Sequence, residues 1–543
     1  MVFARRSTTL LAAIIASCAM VLSLTACTSD NKTVVDGQTT VTSNSAGGVA
    51  VFTPSDGITL NQQTPLNKWA KLVPDLAKAL ADAGFKKGDI DHTTSDSLAK
   101  QSRAIQDFVV DHLSNNTTDD SGIAIAPDNM TLLVAPVVEA DASTRQYGDY
   151  VSQNLSTNDV TDGEATSDGE SSEDDSSKDD SSNTESDSTA SDEQAQAVDR
   201  LVSSLKLAKE SGMHVVLLGN SIEGYKPDAF VKFSDAQTIG KLQAEKMVSK
   251  LKLDKASKDN PKYIEVLLPY TAVDEKGNVN DSTFAQEAFR GIWQVLGSYY
   301  QKGVVESPSG TLDGKSTEND WQAVAYDAAK EGSTAKVLDK RLAKTDGQST
   351  LTRIDGIITM NDYIASEVVK ELDDLGYTGS AADINPQITI SGIVGNITGK
   401  KDLSRDAVPD PIKSPENDNA NDSSSSDDDA DEDTSASDKD RDSQWPLVTG
   451  YGAYVSNIPS IVNGKQWMTG MEDRQTIATD IAQACAKLNK DEALNSMPSI
   501  RNSEVGGVKK IPTISEPLLA VSASNLKSAL IDPGYISLAD AGL

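Results

Sequence analysis

From Val51 onward the chain alternates short apolar runs with amphipathic segments of helical period, and no other feature narrows the fold as much. Lys68–Ala83 puts Trp69, Leu72, Val73, Leu76, Ala79 and Leu80 on one face, and Gly84 ends it. Ser97–His112 reads as a second helix with Ile105, Phe108 and Val109 inward, and Ala195–Ser211 as a third ended by Gly212. Further helices are expected at Ile239–Leu251, Thr283–Gln301, Trp321–Lys330, Asp362–Leu375 and Gln475–Lys487. Strands are expected at Gly57–Leu60, Leu132–Val138, Met213–Leu218, Ala229–Phe233, Tyr263–Leu268, Gly356–Thr359, Gln387–Val394 and Leu447–Thr449. Strands alternating with helices imply an α/β chain whose parallel sheets are covered on both faces.

Ahead of this body, Arg5 and Arg6 precede an apolar run from Leu10 to Leu24 that is too short to span a membrane comfortably. A small-residue site follows, so the segment reads as an export signal. Its ending, Leu24-Thr25-Ala26-Cys27, resembles the lipobox of bacterial lipoproteins. That resemblance implies a signal peptide over 1–26 and acyl chains, palmitate among them, on Cys27. An ordinary secretory peptide is the alternative. Two or more acyl chains anchor stably where one is marginal. Residues 27–50 then read as a flexible tether on the extracytoplasmic face of the membrane. With Cys18 in the signal and Cys27 lipidated, only Cys485 remains, so no intramolecular disulfide is possible and the core alone must hold the fold. Cys485 lies in a helical pattern and reads as a buried structural thiol. His92, His112 and His214 are scattered without metal-ligand spacing, so neither metal nor cofactor is expected. His214 alternates within a strand and reads as structural.

The net charge of −33 is concentrated. Residues 159–193 hold 14 Asp or Glu against Lys178 alone, and residues 416–442 hold 12 against Lys439 and Arg441. Ser- and Asp-rich and nearly devoid of apolar groups, these tracts cannot bury enough surface to offset the entropy of ordering. They read as disordered insertions, at about 155–193 and 414–443. Calcium binding is the alternative, but neither has spaced ligands around a fixed glycine. A nucleic-acid partner is excluded by the charge. About 420 residues remain once signal, tether and tracts are set aside, which suits two domains.

Gly310-Thr311-Leu312-Asp313-Gly314-Lys315-Ser316 fails as a phosphate loop, because three residues separate its glycines where four are needed. It reads as a polar turn. No Gly-x-Ser-x-Gly elbow and no Gly-x-Gly-x-x-Gly fingerprint occurs. With no nucleophile–base constellation, a secreted hydrolase is disfavoured and no enzymatic activity is expected.

Several passages resemble one family in order and spacing. They are Ile461-Val462-Asn463-Gly464-Lys465-Gln466-Trp467-Met468-Thr469-Gly470, Ile511-Pro512-Thr513 followed by Val521–Leu526 and Pro533-Gly534-Tyr535, Met360–Ala365, Ile239–Ala244, Trp69 and Gln101. Together they resemble the type I periplasmic sugar-binding proteins of ABC importers, in the xylose-binding-like branch. The resemblance covers roughly Val51–Leu543 apart from the acidic insertions. It implies two Rossmann-like lobes joined by a three-strand hinge, with residues 51–221 plus 475–505 in one and 229–470 plus 515–543 in the other. It further implies a monomer that closes on a sugar and is read by permease subunits. In open α/β sheets ligands sit beyond the carboxyl ends of the strands.

The strand-end positions implied to touch ligand are Trp69, Asn220, Asp235, Asn361, Asp362 and Tyr451. Most depart from the family pattern. Leu218-Gly219-Asn220 replaces Tyr-Asp-Arg, Phe233-Ser234-Asp235 replaces Phe-Asp-Asn, Ser282–Ala285 replaces Asp-Asn-Asn-Ala, and Gly450-Tyr451-Gly452-Ala453 replaces Gly-x-Asp-Ala. Lys68-Trp69 stands for Arg-Trp, and only Asn361-Asp362 survives intact. Altered polar groups imply an altered ligand, or a scaffold that has lost it and serves as a surface sensor or interaction module. Asn361 and Asp362 also fit a helix N-cap and first-turn acid.

Overall fold

Val49, Ala50, Val51 and Phe52 are all buried, in a strand one in from the edge of the first of two main sheets. The computed structural model describes residues 46–55, 65–115, 125–138, 145–150, 153–156, 184–273, 281–343, 351–381 and 445–543. All belong to one unit, Ser45–Leu543. The signal, Cys27, the strands expected at Gly57–Leu60 and Gln387–Val394, residues 159–183 of the first acidic tract and all of the second lie outside the described residues.

The principal elements begin with β1 (Gly48–Pro54), α1 (Trp69–Asp82), β2 (Ile90–Ser95), α2 (Leu98–Asn115), β3 (Met130–Val134), α3 (Thr184–Glu210), β4 (His214–Leu218) and β5 (Ala229–Lys232). They continue through α4 (Ala236–Leu251), β6 (Lys262–Val266), β7 (Leu268–Pro269), α5 (Thr283–Gln301), β8 (Val305–Glu306), β9 (Ala325–Tyr326), α6 (Ser333–Arg341), β10 (Gly356–Ile358) and α7 (Asp362–Asp374). The chain closes with β11 (Leu447–Val448), β12 (Met468–Met471), α8 (Arg474–Leu488), β13 (Ile500–Val505), β14 (Val508–Ser515) and β15 (Leu519–Ser522).

The first sheet has the order β13-β14-β5-β4-β3-β1-β2, parallel except for the β13–β14 hairpin. The second has the order β8-β6-β10-β11, with β7 pairing β9 beyond the end of β6. Each begins its chain in the second position of the sheet, the 2-1-3-4 winding of doubly wound folds. Both faces of each sheet are covered. One core of the first lobe gathers α1 and α8 side chains, the other those of α2 and α3. The second lobe buries α4 and α5 on one face and α6 and α7 on the other. The parallel α/β sheets covered on both faces that the alternation implies are therefore present, in the two lobes that the resemblance implies.

Local chemistry sets the helix bounds. In α1 the buried Trp69, Leu72, Leu76 and Leu80 follow the helical period. Asp235, Asn361 and Asp473 cap α4, α7 and α8, accepting the N–H groups of Thr238, Ile364 and Thr476. Helices α4 and α5 cross at two glycines. A Cβ on Gly240 would lie 2.2 Å from the Ala288 carbonyl, and one on Gly291 2.0 Å from that of Gln237. Gly291→Ala should thus force the helices apart and cost about 1–3 kcal/mol, read as a lower urea midpoint.

Some expectations need correction. The tether does not extend to residue 50, because β1 starts at Gly48 and Ala46 is already buried. The first insertion does not reach 193, because α3 begins at Thr184. The helix expected over Trp321–Lys330 stops at Val324, since Ala325 and Tyr326 extend to pair with Leu268 and Pro269. The second lobe does not begin at 229. Ala229 pairs with Val216 and Phe230 with Thr513, so β5 and all of β14 belong to the first sheet.

The chain therefore crosses between lobes at Phe233–Asp235, at β12, and between Ser515 and β15. The last two crossings pair as an antiparallel ribbon, Met468↔Ser522 to Met471↔Leu519. A further apolar cluster of Leu66, Ile458, Ile461, Met471, Val521, Leu530 and Tyr535 packs around this ribbon. Cys485 is buried in the first lobe with its thiol pushed up by desolvation, as a structural thiol should be. Residues 310–316 form a turn in which Asp313 accepts the N–H groups of Lys315 and Ser316.

Candidate functional site

Loops leaving the carboxyl ends of both sheets meet each other across the hinge. Leu66 donates its N–H to the Gly452 carbonyl at 2.9 Å, from first lobe to second. Gly452 sits at φ +113°, and a Cβ there would press on Pro65 and the Tyr454 ring. Two non-glycine residues in left-handed conformation, Met360 (φ 69°) and Ala453 (φ 49°), flank this meeting. Strain of that kind persists only where surroundings enforce it.

The six candidates are distributed as follows. Asn361 caps α7 through Oδ1 and points Nδ2 toward the first lobe, where it donates to Gln146 Oε1 at 3.1 Å. Asp362 is fully buried behind it. Its Oδ1 accepts from Gln466 Nε2 at 2.7 Å, and its Oδ2 accepts from the Tyr454 N–H and the Thr469 hydroxyl, each at 2.9 Å. Burial pushes this carboxyl up to about 6 against the pull of those donors. Tyr451 is buried and donates to Glu472 Oε1 at 3.3 Å. Trp69 lies in the first-lobe core, edge-on to Tyr150 at 5.1 Å and to Phe233 at 5.8 Å. Asn220 donates to the Pro136 carbonyl and accepts from the Gln153 N–H. Asp235 caps α4 and pairs with Lys232 at 2.9 Å.

Trp69, Asn220, Asn361 and Tyr451 therefore converge on one excursion of the chain, of which residues 135–138, 145–150 and 153 are described, whereas Asp362 stands one layer behind and Asp235 sits at a crossover. Gln101 braces the start of that excursion, bonding the Ala135 carbonyl and the Val137 N–H. Tyr147 from the excursion packs on Phe284 at 4.6 Å and Tyr451 at 6.2 Å, within the second lobe's core.

Sequence reasoning missed Gln146, Tyr147, Asp149, Tyr150 and Glu472. Glu472 is buried and joins two crossovers, accepting from the Ser234 N–H at 2.7 Å, from the Ser234 hydroxyl and from Tyr451. Desolvation pushes it up to about 7, and the Asp235 charge adds to the rise. Gln466 and Thr469 stood in the quoted 461–470 passage, and their shared partner Asp362 supplies the chemical reason for them. A surface cavity of about 410 Å³ beside β13 and β14 is lined by Asp228, Leu488, Glu492, Leu494, Ile500 and Asn502, and by none of the six candidates. Among the described residues no group of three or more His, Cys, Asp or Glu is placed to hold a metal, and no helix is long and apolar enough to cross a membrane.

Paired doubly wound lobes, tied by three crossovers and meeting at the carboxyl ends of their sheets, define a type I binding-protein architecture. Several solved structures are similar to it. A glucose-bound ABC transporter solute-binding protein from Clostridium phytofermentans aligns at a TM-score of 0.44 and 17% identity, over 91% of this chain and 99% of its own. A carbohydrate transporter solute-binding protein from Chloroflexus aurantiacus, in complex with D-glucose, gives 0.42 and 18%, over 92% and 98%. A periplasmic ribose ABC transporter protein from Conexibacter woesei gives 0.41 and 13%, over 90% and 96%. No protein-family model matches the chain, and no curated protein does. The fold class rests on the strand order itself.

Proposed function

We propose that this chain is a solute-binding receptor of an ABC importer, that its ligand is a carbohydrate, and that it is not an enzyme. One observation carries the reading: two parallel sheets of 2-1-3-4 winding meet at their carboxyl ends around a hinge of three crossovers. Ligands of open α/β sheets sit at that edge, and hinged lobes close around them. The carbohydrate class comes from the sequence resemblance at Asn361-Asp362 and Ile461–Gly470. The resemblance of Leu24–Cys27 to a lipobox supports acylation at Cys27 and a monomer tethered outside the cytoplasmic membrane, where permease subunits read closure. The ligand-contact roles of Trp69, Asn220, Asp235, Asn361, Asp362 and Tyr451 belong to the same proposal.

A second reading, a scaffold that senses or docks without a small ligand, is favoured by the engagement of Asp362, Asn361 and Asn220 within the chain itself. A thermal-shift screen separates the two. D-glucose and a panel of mono- and oligosaccharides are the probes. A sugar at 100 times its dissociation constant should stabilise the receptor by about 2.7 kcal/mol. An unmoved melting temperature across the panel rejects the carbohydrate receptor and leaves the scaffold.

A further inference from the structure

Between the lobes the chain places residues of its own. Gln146–Tyr150 has one foot in each half. On the first lobe, Asp149 pairs with Lys68 Nζ at 2.7 Å and accepts the Trp69 N–H at 3.1 Å, which caps an α1 that has no side-chain cap of its own. Tyr150 donates to the Lys68 carbonyl at 2.5 Å and stacks on Phe233 at 4.7 Å. The Asp149 N–H bonds the Asn67 carbonyl, and Gly148, at φ +96°, passes so close that a Cβ would lie 2.5 Å from that oxygen.

On the second lobe, Gln146 receives the Asn361 amide through its side chain and the Tyr454 hydroxyl, at 2.7 Å, through its carbonyl. Tyr147 is 1% exposed, and its ring packs with Phe284 and Tyr451. Among the described residues its hydroxyl has no hydrogen-bond partner. A buried phenol left unpaired is costly, so the ring's apolar packing outweighs that cost.

We propose that Gln146–Tyr150 is a strap that holds the two lobes shut with nothing bound, and that a ligand of the junction must displace Tyr147. The second clause rests on the receptor reading, whereas the first does not. Closure is therefore measured without sugar, and its failure leaves the thermal-shift result untouched.

The test is hydrogen–deuterium exchange of the purified full chain, read at the Leu66 amide, which bonds across the lobes to Gly452. The wild-type amide should exchange slowly. Tyr147→Phe, which removes only the hydroxyl, should match it. Tyr147→Ala and Asp149→Ala should each accelerate exchange at Leu66 by about ten-fold or more, while amides of β3 and β4 keep their protection. Fast exchange at Leu66 in the wild type overturns the strap. So does wild-type exchange in both Tyr147→Ala and Asp149→Ala. Should Tyr147→Ala also lose protection in β3 and β4, Asp149→Ala decides, because its partly exposed carboxylate leaves the second lobe's core intact.

Discussion

Asp362→Ala is expected to lower the stability of the fold by about 1–3 kcal/mol. The carboxylate has no exposed surface and receives three donors. Gln466 Nε2 and the Thr469 hydroxyl retain second acceptors, the carbonyls of Met468 and Gly470. Among the described residues the Tyr454 N–H has no other acceptor, so it is left buried and unpaired. The substitution also removes the acid from the first turn of α7, where it favours the helix dipole. Gly450 lies against the same carboxylate, where a Cβ would come within 2.1 Å of Oδ1. Urea unfolding at pH 7.5 reads the effect. A loss under about 1 kcal/mol would mean that these bonds add little net stability and would return Asp362 to a role at the ligand.

The second large effect concerns pH. Burial pushes Glu472 up to about 7 and Asp362 up to about 6. Between the ordinary carboxyl range and these values the folded protein keeps protons that the unfolded chain has released. Their contribution is complete below about pH 4 and is lost as pH rises through 6 and 7. The fold should therefore melt higher at pH 5 than at pH 8, with Glu472 accounting for roughly 3 kcal/mol. Asp235 acts in the opposite sense, because its hydrogen bonds and Lys232 hold it below its ordinary value, but its effect falls at more acid pH. Glu472→Gln separates the terms. Glutamine can accept from Ser234 and offer its amide to the Tyr451 oxygen, with no charge to bury. Its melting temperature should exceed the wild type's at pH 8 and equal it at pH 5. A wild-type melting curve flat between those pH values would refute the assignment.

Several helices were legible because their packing is written locally. The period that places Trp69, Leu72, Leu76 and Leu80 inward also bounds α1, and α5 spans the expected Thr283–Gln301. Strand membership was harder to read, because it depends on distant partners. Ala229–Phe233 announces a strand, but nothing local says that it pairs with Val216 and Thr513. The site divides along the same line. Strand ends mark Asn220, Asn361 and Tyr451 as junction residues. Their neighbours Gln146 and Tyr147 come from a stretch with no periodic pattern, so only three-dimensional placement reveals them. Gln466 and Thr469 were visible as a motif before their partner Asp362 gave them a purpose.

The position of β14 affects the order in which the halves can mature. The edge of β5 and the inner face of α1 are covered by β14 and α8, which lie beyond Met471. Every principal element of the other half falls in one uninterrupted stretch between Ala236 and Val448. A polypeptide synthesised from its amino end can therefore assemble its later half while the earlier one still waits, unfinished, for the closing residues.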